Sequence, residues 1–304
     1  MTEHTDAATQ FTEVTNGLRF PEGPVAMPDG SVIVVEMFGP RITRVLPDGT
    51  KETIATIPGG PNGLAFGPDG ALYLCNNGGC FTEVDMFGLT FPGGFDPAIY
   101  IGGSIQRVDI DTGAVTTLYV ECNGEKLRAP NDIVFDAHGG FYFTDHGTRS
   151  EYNADRTGIY YAMPDGSSIT RVIHPVDSPN GIGLSPDGTK LYYAETHTGR
   201  LFQRDIVSPG MVAEASAIDF SIVLHGFSGL QLLDSLGVDA SGNVCVAVLA
   251  ENAGVAVVAP DGHLVAQILT GDPITTNICH SADNTTAWIT CSATGRLLKM
   301  DWPY

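Results

Sequence analysis

Positive charge is scarce in this 304-residue chain: 15 Lys and Arg stand against 35 Asp and Glu, a formal net charge of −20. A surface of that sign repels phosphate backbones, which excludes nucleic acid as a partner. No apolar run approaches the length of a membrane span, and residues 1–10 (MTEHTDAATQ) hold no apolar stretch of the secretory kind. The sequence therefore predicts a disordered tail over 1–10, one domain over 11–304, no membrane partner and a cytoplasmic location. The six Cys residues (75, 80, 122, 245, 279 and 291) include no C-x-x-C pair. Cys75, Cys245 and Cys291 fall on strand runs and read as packed thiols, a Cys75–Cys80 disulfide is possible but unneeded, and the set agrees with a reducing compartment. Also missing are G-x-S-x-G and H-E-x-x-H, and none of the eight His residues lies within four of another. Those absences remove the serine-elbow hydrolases and the zinc proteases.

What the chain does have is a short segment repeated six times. A polar residue, Glu22, Asn62, Asn131, Asn180, Asp234 or Asn277, is followed by an apolar stretch and, seven residues on, by a turn position: Asp29, Asp69, His138, Asp187, Ser241 or Asn284. Gly follows in the first five. A strand-like run comes next each time, as in SVIVVEM, ALYLCNN, GFYFTDH, KLYYAET, NVCVAVL and AWITCS. Each repeat reads as a β-hairpin whose Gly supplies the positive φ of a tight turn. Successive repeats are 40, 69, 49, 54 and 43 residues apart, room for four strands each, and second hairpins such as RITRVLPDGTKETIATI occupy the remainder. With no amphipathic helix between them, six four-stranded antiparallel units predict an all-β, six-bladed β-propeller with a central channel.

Equivalent positions of a radial fold lie on a ring, so the six polar residues are expected to meet at one mouth of the channel. Carboxylates and amide oxygens crowded there need a partner, since buried polar groups are costly when unpaired. Any one Asn could instead cap a turn. For the set, and for Glu22 and Asp234 above all, one oxygen-ligated divalent cation is the better account. Calcium suits the donors, with Mn²⁺, Zn²⁺, Mg²⁺ or Fe²⁺ as alternatives. Residues just past each second strand should line the rim: Met37, Phe38, Asn76, Asp145, His146, Glu195, His197 and Glu251. Among them His146, Phe38 and His197 are expected substrate contacts. The 69-residue spacing comes from an insertion over 80–103 that should overhang the mouth, with Phe81, Met86, Phe87, Phe91, Phe95 and Tyr100 as apolar weight. It reads as a lid favouring an apolar or aromatic substrate, or as a subunit contact.

The segments FPEGP, PNGLAFGPDGALYL, APNDIVFDAHGGFYFTD, SPNGIGLSPDGTKLYYAET and LLDSLGVDASGNVCV carry a resemblance. Across about residues 11–300 they resemble the SMP-30/gluconolactonase/LRE family of propeller lactonases. By resemblance Glu22, Asn180 and Asp234 are divalent-metal ligands, and Asn131 is a further ligand or a substrate contact. Asp132 supports the site or touches substrate. Animal sugar lactonases of the family carry Arg two residues before that Asn; here the position is Ala129, which points away from their substrate type. Asp234-Ser235 resembles the Asp-Ser form of some bacterial lactonases.

The implied activity is opening of a lactone ring by metal-activated water, with Asp234 and Asn131 as the catalytic residues and Asp234 as ligand, proton acceptor or both. The partner is then a small lactone, and the protein a monomer or weak homo-oligomer. A phosphotriester hydrolase, a non-catalytic ligand-binding propeller with a structural Ca²⁺, and a strictosidine-synthase-like condensing propeller are the competing readings.

Overall fold

A computed structural model describes residues 10–216 and 218–304; the tail predicted over 1–10 falls almost wholly outside them, and Gln10 is exposed coil. Six antiparallel sheets are arranged as a six-bladed β-propeller. Their innermost strands are Pro21–Ala26, Pro61–Phe66, Pro130–Phe135, Pro179–Leu184, Gln231–Val238 and Thr275–His280, which number blades 1 to 6. Blades 1 to 5 are continuous in sequence. Blade 6 takes its outermost strand from the other end of the described chain, Thr12–Thr15, which pairs with Arg296–Asp301. That pairing closes the ring without leaving a free edge between first and last blades.

The strands form where the sequence is rich in β-branched and aromatic residues, and burial follows their position in the blade. Second strands such as Val32–Glu36, Leu72–Asn76 and Phe141–Asp145 are buried along their whole length. The outer strand Lys51–Thr56 buries one residue. Each second strand is covered on both faces by the neighbouring blades, so the core is divided among blade interfaces. Six apolar clusters result, for example Ile33, Val35, Leu64 and Leu74 between blades 1 and 2, and Val32, Val34, Trp288 and Leu297 between blades 6 and 1.

The predicted hairpins are present, with three-residue loops of the type I plus left-handed kind in blades 1, 2, 3 and 5 and four-residue loops in blades 4 and 6. Met27 N donates to Ser31 O at 2.9 Å, Gly30 N donates to Met27 O at 2.9 Å, and Gly30 has φ 81°. In blade 6 the left-handed residue is Asn284, φ 57°, at the position Gly occupies elsewhere. The repeat therefore slips by one there, contrary to the constant offset expected from sequence. Thr276, not Asn277, is the structural counterpart of Glu22, Asn62, Asn131, Asn180 and Asp234.

Every first strand loses regular register at this polar residue, between Glu22 and Val25 in blade 1 and between Pro130 and Ile133 in blade 3. The irregularity aims the polar side chain out of the ladder. It also presses the next residue against the following blade. A Cβ on Gly63 would lie 2.3 Å from Asn131 O, and one on Gly23 would lie 2.6 Å from Asn62 O. Gly63→Ala is expected to destabilise the protein by at least about 1–3 kcal/mol, whereas Gly94→Ala, with open space around it, leaves stability unchanged. Paired denaturant titrations check this, and equal midpoints would show that the axis can relax.

Candidate active site

The polar ring forms the floor of a cavity of about 240 Å³ on the face where the first strands begin. Glu22, Asn62, Asn131, Asn180 and Asp234 all reach it, and each is buried. Glu22 Oε2 accepts from Gly23 N at 3.0 Å and from Asn277 Nδ2 at 3.3 Å. Asn180 donates from Nδ2 to Thr196 Oγ1 at 3.2 Å and accepts from Ser235 Oγ at 3.3 Å. Asn62 Oδ1 and Asn131 Oδ1 are buried without any hydrogen-bond partner.

Electrostatics make the floor unusual. Burial raises the Glu22 carboxyl well above its ordinary range, and the charges of Asp234 and Asp132 add to the effect. Asp234 is pushed up to about 7, mainly by burial, although Asn180 and the Ser235 amide favour its charged form. No described Lys or Arg lines the cavity. Among the described residues no three His, Cys, Asp or Glu side chains cluster as a metal group. The donor set instead combines two carboxylates with amide oxygens, two of which have no other partner. That chemistry fits a hard divalent cation, which accepts neutral and anionic oxygen alike.

Two further tiers build the walls. The position two residues before each ring residue supplies Phe20, Leu232 and Ile274 from blades 1, 5 and 6. In blades 2, 3 and 4 it is the small Gly60, Ala129 or Ser178. The position just past each second strand, or next but one to its end, supplies Met37, His146, Thr196 and Leu249. His197 and two residues of the insertion, Phe81 and Pro92, complete the lining. The His146 ring lies 6.1 Å from that of His197 and 6.0 Å from that of Phe81. Its Nδ1 faces Gly147 O at 3.2 Å; a carbonyl only accepts, so Nδ1 carries the proton and Nε2 keeps its lone pair. Burial lowers the His146 pKa to about 4 and holds the ring neutral.

The structure thus brings Glu22, Asn131, Asn180, Asp234, His146 and His197 to one cavity. Three residues singled out from sequence lie elsewhere. Phe38 stands behind Phe20, ring centroids 5.0 Å apart, and Asn277 holds Glu22 from its far side. Asp132 faces a separate cavity of about 200 Å³ lined by Leu64, Ile182 and Leu236. Its carboxylate accepts from Ile133 N at 3.0 Å and Ile182 N at 3.1 Å, and burial raises its pKa to about 7. The rim positions Asn76, Asp145 and Glu195 point into the blades and accept from lead-in backbone amides. Glu251 is exposed. Phe20, Leu232 and Ile274 were missed by sequence reasoning, although their fixed offset from the ring was readable.

The insertion folds as a hairpin, Glu83–Met86 with Leu89–Pro92, turned at Phe87 and Gly88. Thr90 N donates to Ala293 O of blade 6 at 2.9 Å, and Arg19 Nη2 meets Glu83 at 2.5 Å. The hairpin of blade 2 therefore reaches over blade 1 as far as blade 6.

Comparison with known proteins places these features. A model of the "SMP-30/Gluconolactonase/LRE-like region" matches residues 20–293. Lactonase drp35 of Staphylococcus saprophyticus is 29% identical over 242 residues, 79% of this chain and 66% of that protein. The match thus spans slightly under two thirds of that relative's length. Among solved structures, a Xanthomonas campestris gluconolactonase superposes with TM-score 0.77 at 21% identity, covering 100% of this chain and 94% of its own. A calcium-binding regucalcin from Agrobacterium tumefaciens gives 0.72 at 18% identity, covering 96% and 93%. Match and fold agree along nearly the whole chain, which belongs to the SMP-30/gluconolactonase/LRE-like family.

Proposed function

We propose that this protein hydrolyses a lactone, with one divalent cation held by Glu22, Asn131, Asn180 and Asp234. The observation that carries the reading is the floor of the cavity, where two buried carboxylates and two unpartnered amide oxygens face one small space. The relatives named lactonase support it, and the calcium-binding neighbour supports calcium as the ion. Bound there, a divalent cation polarises an ester carbonyl and acidifies water.

The chain's own groups account for the rest. Asp234, whose carboxylate shares the floor with Glu22, accepts the proton of the attacking water. His146 Nε2 accepts a hydrogen bond from the substrate or from that water. Phe20, Met37, Phe81, Leu232, Leu249 and Ile274 surround the ring and exclude solvent. With no cationic side chain in the walls, they select a lactone bearing hydrocarbon rather than an acidic sugar. The insertion serves as the lid, because Phe81 and Pro92 at its base complete the wall. The six Cys residues are free thiols, which supports a cytoplasmic setting.

Proton release on a panel of sugar, aliphatic and aromatic lactones tests the proposal. Chelator-stripped protein should be inactive, added Ca²⁺ or Mn²⁺ should restore turnover, and Glu22→Gln should abolish it. Asp234→Asn is expected to lower kcat by about 10²–10⁴-fold while weakening metal binding far less; parallel loss of both would reduce Asp234 to a ligand. Phe81→Ala should cost about 10–200-fold in kcat/KM on aromatic lactones relative to small ones, and an unchanged ranking would remove the lid from specificity.

Stability gives a readout independent of substrate. Glu22, Asp132 and Asp234 have folded-state pKa values raised above the unfolded ones, so above about pH 4 the folded state binds more protons than the unfolded chain. The contribution of the two aspartates is present at low pH and is lost as pH rises through about 7; that of Glu22 is lost in the same direction. The Tm of chelator-treated protein should therefore fall from pH 5 to pH 8, less steeply in Asp234→Asn. Calcium should raise it most at pH 8, by mass action on the folded state. A flat profile without metal would contradict the electrostatic picture.

A further inference from the structure

A cavity larger than the one over the ring lies elsewhere on the molecule. It is a cleft of about 420 Å³ on the flank of blade 3, lined in part by Lys126, Arg128, Arg156, Arg171 and His174. Four of the 15 Lys and Arg residues of a chain with net charge −20 meet in this one place. Such a concentration runs against the field of the rest of the molecule.

Of the three acids in the cleft one is paired with a cation, and the other two keep their charge but aim their oxygens at neutral donors, so the cations outnumber the acids by one. Glu125 pairs with Arg171. Asp155 Oδ2 accepts from Thr148 N at 3.0 Å and from Thr148 Oγ1 at 2.7 Å. Asp145 is fully buried and accepts from three backbone amides, Arg128 N at 2.8 Å, Ala129 N at 2.7 Å and Gly147 N at 3.1 Å. Lys126, Arg128 and Arg156 make no ion pair among the described residues. All three residues are exposed, and a strand pairing or a hydrogen bond fixes the backbone of each.

That fixity comes from a small hairpin, Glu121–Cys122 with Glu125–Lys126, turned by Asn123 at φ 54° and Gly124 at φ 82°. Cys122 and Leu127 anchor it in the apolar cluster between blades 2 and 3. Arg128 is held through its amide by Asp145, and Arg156 begins the strand Arg156–Ala162, whose buried Tyr160 also lines the cleft. Cations on pinned backbone around a concave site lose little freedom on binding an anion, and guanidinium groups match oxyanions with paired hydrogen bonds.

We infer that this cleft is a second ligand site, for a compact oxyanion carrying two or more negative charges, held by Lys126, Arg128 and Arg156. The inference does not rest on the lactonase reading, because none of these side chains lines the ring cavity.

Calorimetric titration of pyrophosphate into chelator-treated full-length protein at fixed ionic strength tests it. One saturable site is expected, weakened at least tenfold in the Arg128→Gln/Arg156→Gln double variant and retained in Glu22→Gln. The double variant should keep wild-type Tm and lactone turnover, which separates lost binding from lost folding. Citrate as a second probe distinguishes the sources: tighter pyrophosphate assigns a phosphate ligand, tighter citrate a polycarboxylate. Absence of saturable binding of either probe would overturn the inference. So would loss of binding in Glu22→Gln with retention in the arginine variant, which would move the anion to the ring.

Discussion

Six inner strands must approach one axis closely enough to bury their backbones, and the rest of the site follows from how that crowding is resolved. Regular pleating would send alternate side chains into space that does not exist: a Cβ at Gly63 would sit 2.3 Å from the neighbouring blade's Asn131 O. The strand instead breaks register at this point, with a residue lacking a side chain, as at Gly23, Gly63 and Gly181, or with a polar one that bonds across the gap. Asp132 takes the second course and reaches Ile182 N of blade 4. The same break turns the preceding residue upward, so crowding at the axis and the polar floor of the cavity are one structural event.

Burial then sets the chemistry. A carboxyl removed from water resists ionisation, and a second carboxyl nearby resists it more. Glu22 and Asp234 experience both effects, with no protein cation in the cavity to offset them. The resulting potential is negative, and the apolar tiers above limit its screening by water. In the proposed lactonase reading, substrate preference would belong to those tiers. Phe20, Leu232 and Ile274 are bulky where Gly60, Ala129 and Ser178 are small, so the space over the ring is lopsided and opens toward blades 2 to 4, where His146 and His197 stand.

Much of this was legible in the chain. Six hairpins in phase, each with its turn residue and its strand run, carried the propeller, and five of the six ring residues read from sequence line one cavity. The phase argument failed where local geometry departs from counting. In blade 6, Asn284 itself adopts the left-handed turn conformation that Gly adopts elsewhere, so the same spacing counted back from it puts Thr276, not Asn277, at the ring position. Its hydroxyl bonds Pro21 O at 3.1 Å and Ser292 Oγ at 2.7 Å, closing blade 6 onto blade 1. Asn277 next to it could not be told from a ring residue by composition, since amides serve both roles.

What the sequence by itself determined is whatever depends on period: the number of blades, the strand order within them, the turn chemistry and the set of polar residues brought near the axis. Hydrophobic alternation and turn residues are local properties, so they survive translation into a string. Tertiary structure alone decided direction and company. Asn131 and Asp132 are adjacent letters, yet a register break sends one to the ring cavity and the other to the cavity beyond it. Asp145 and His146 divide in the same way, one clamping three amides and the other lining the wall. Which neighbour a side chain meets depends on the packing of a different blade, and no window of sequence contains both partners.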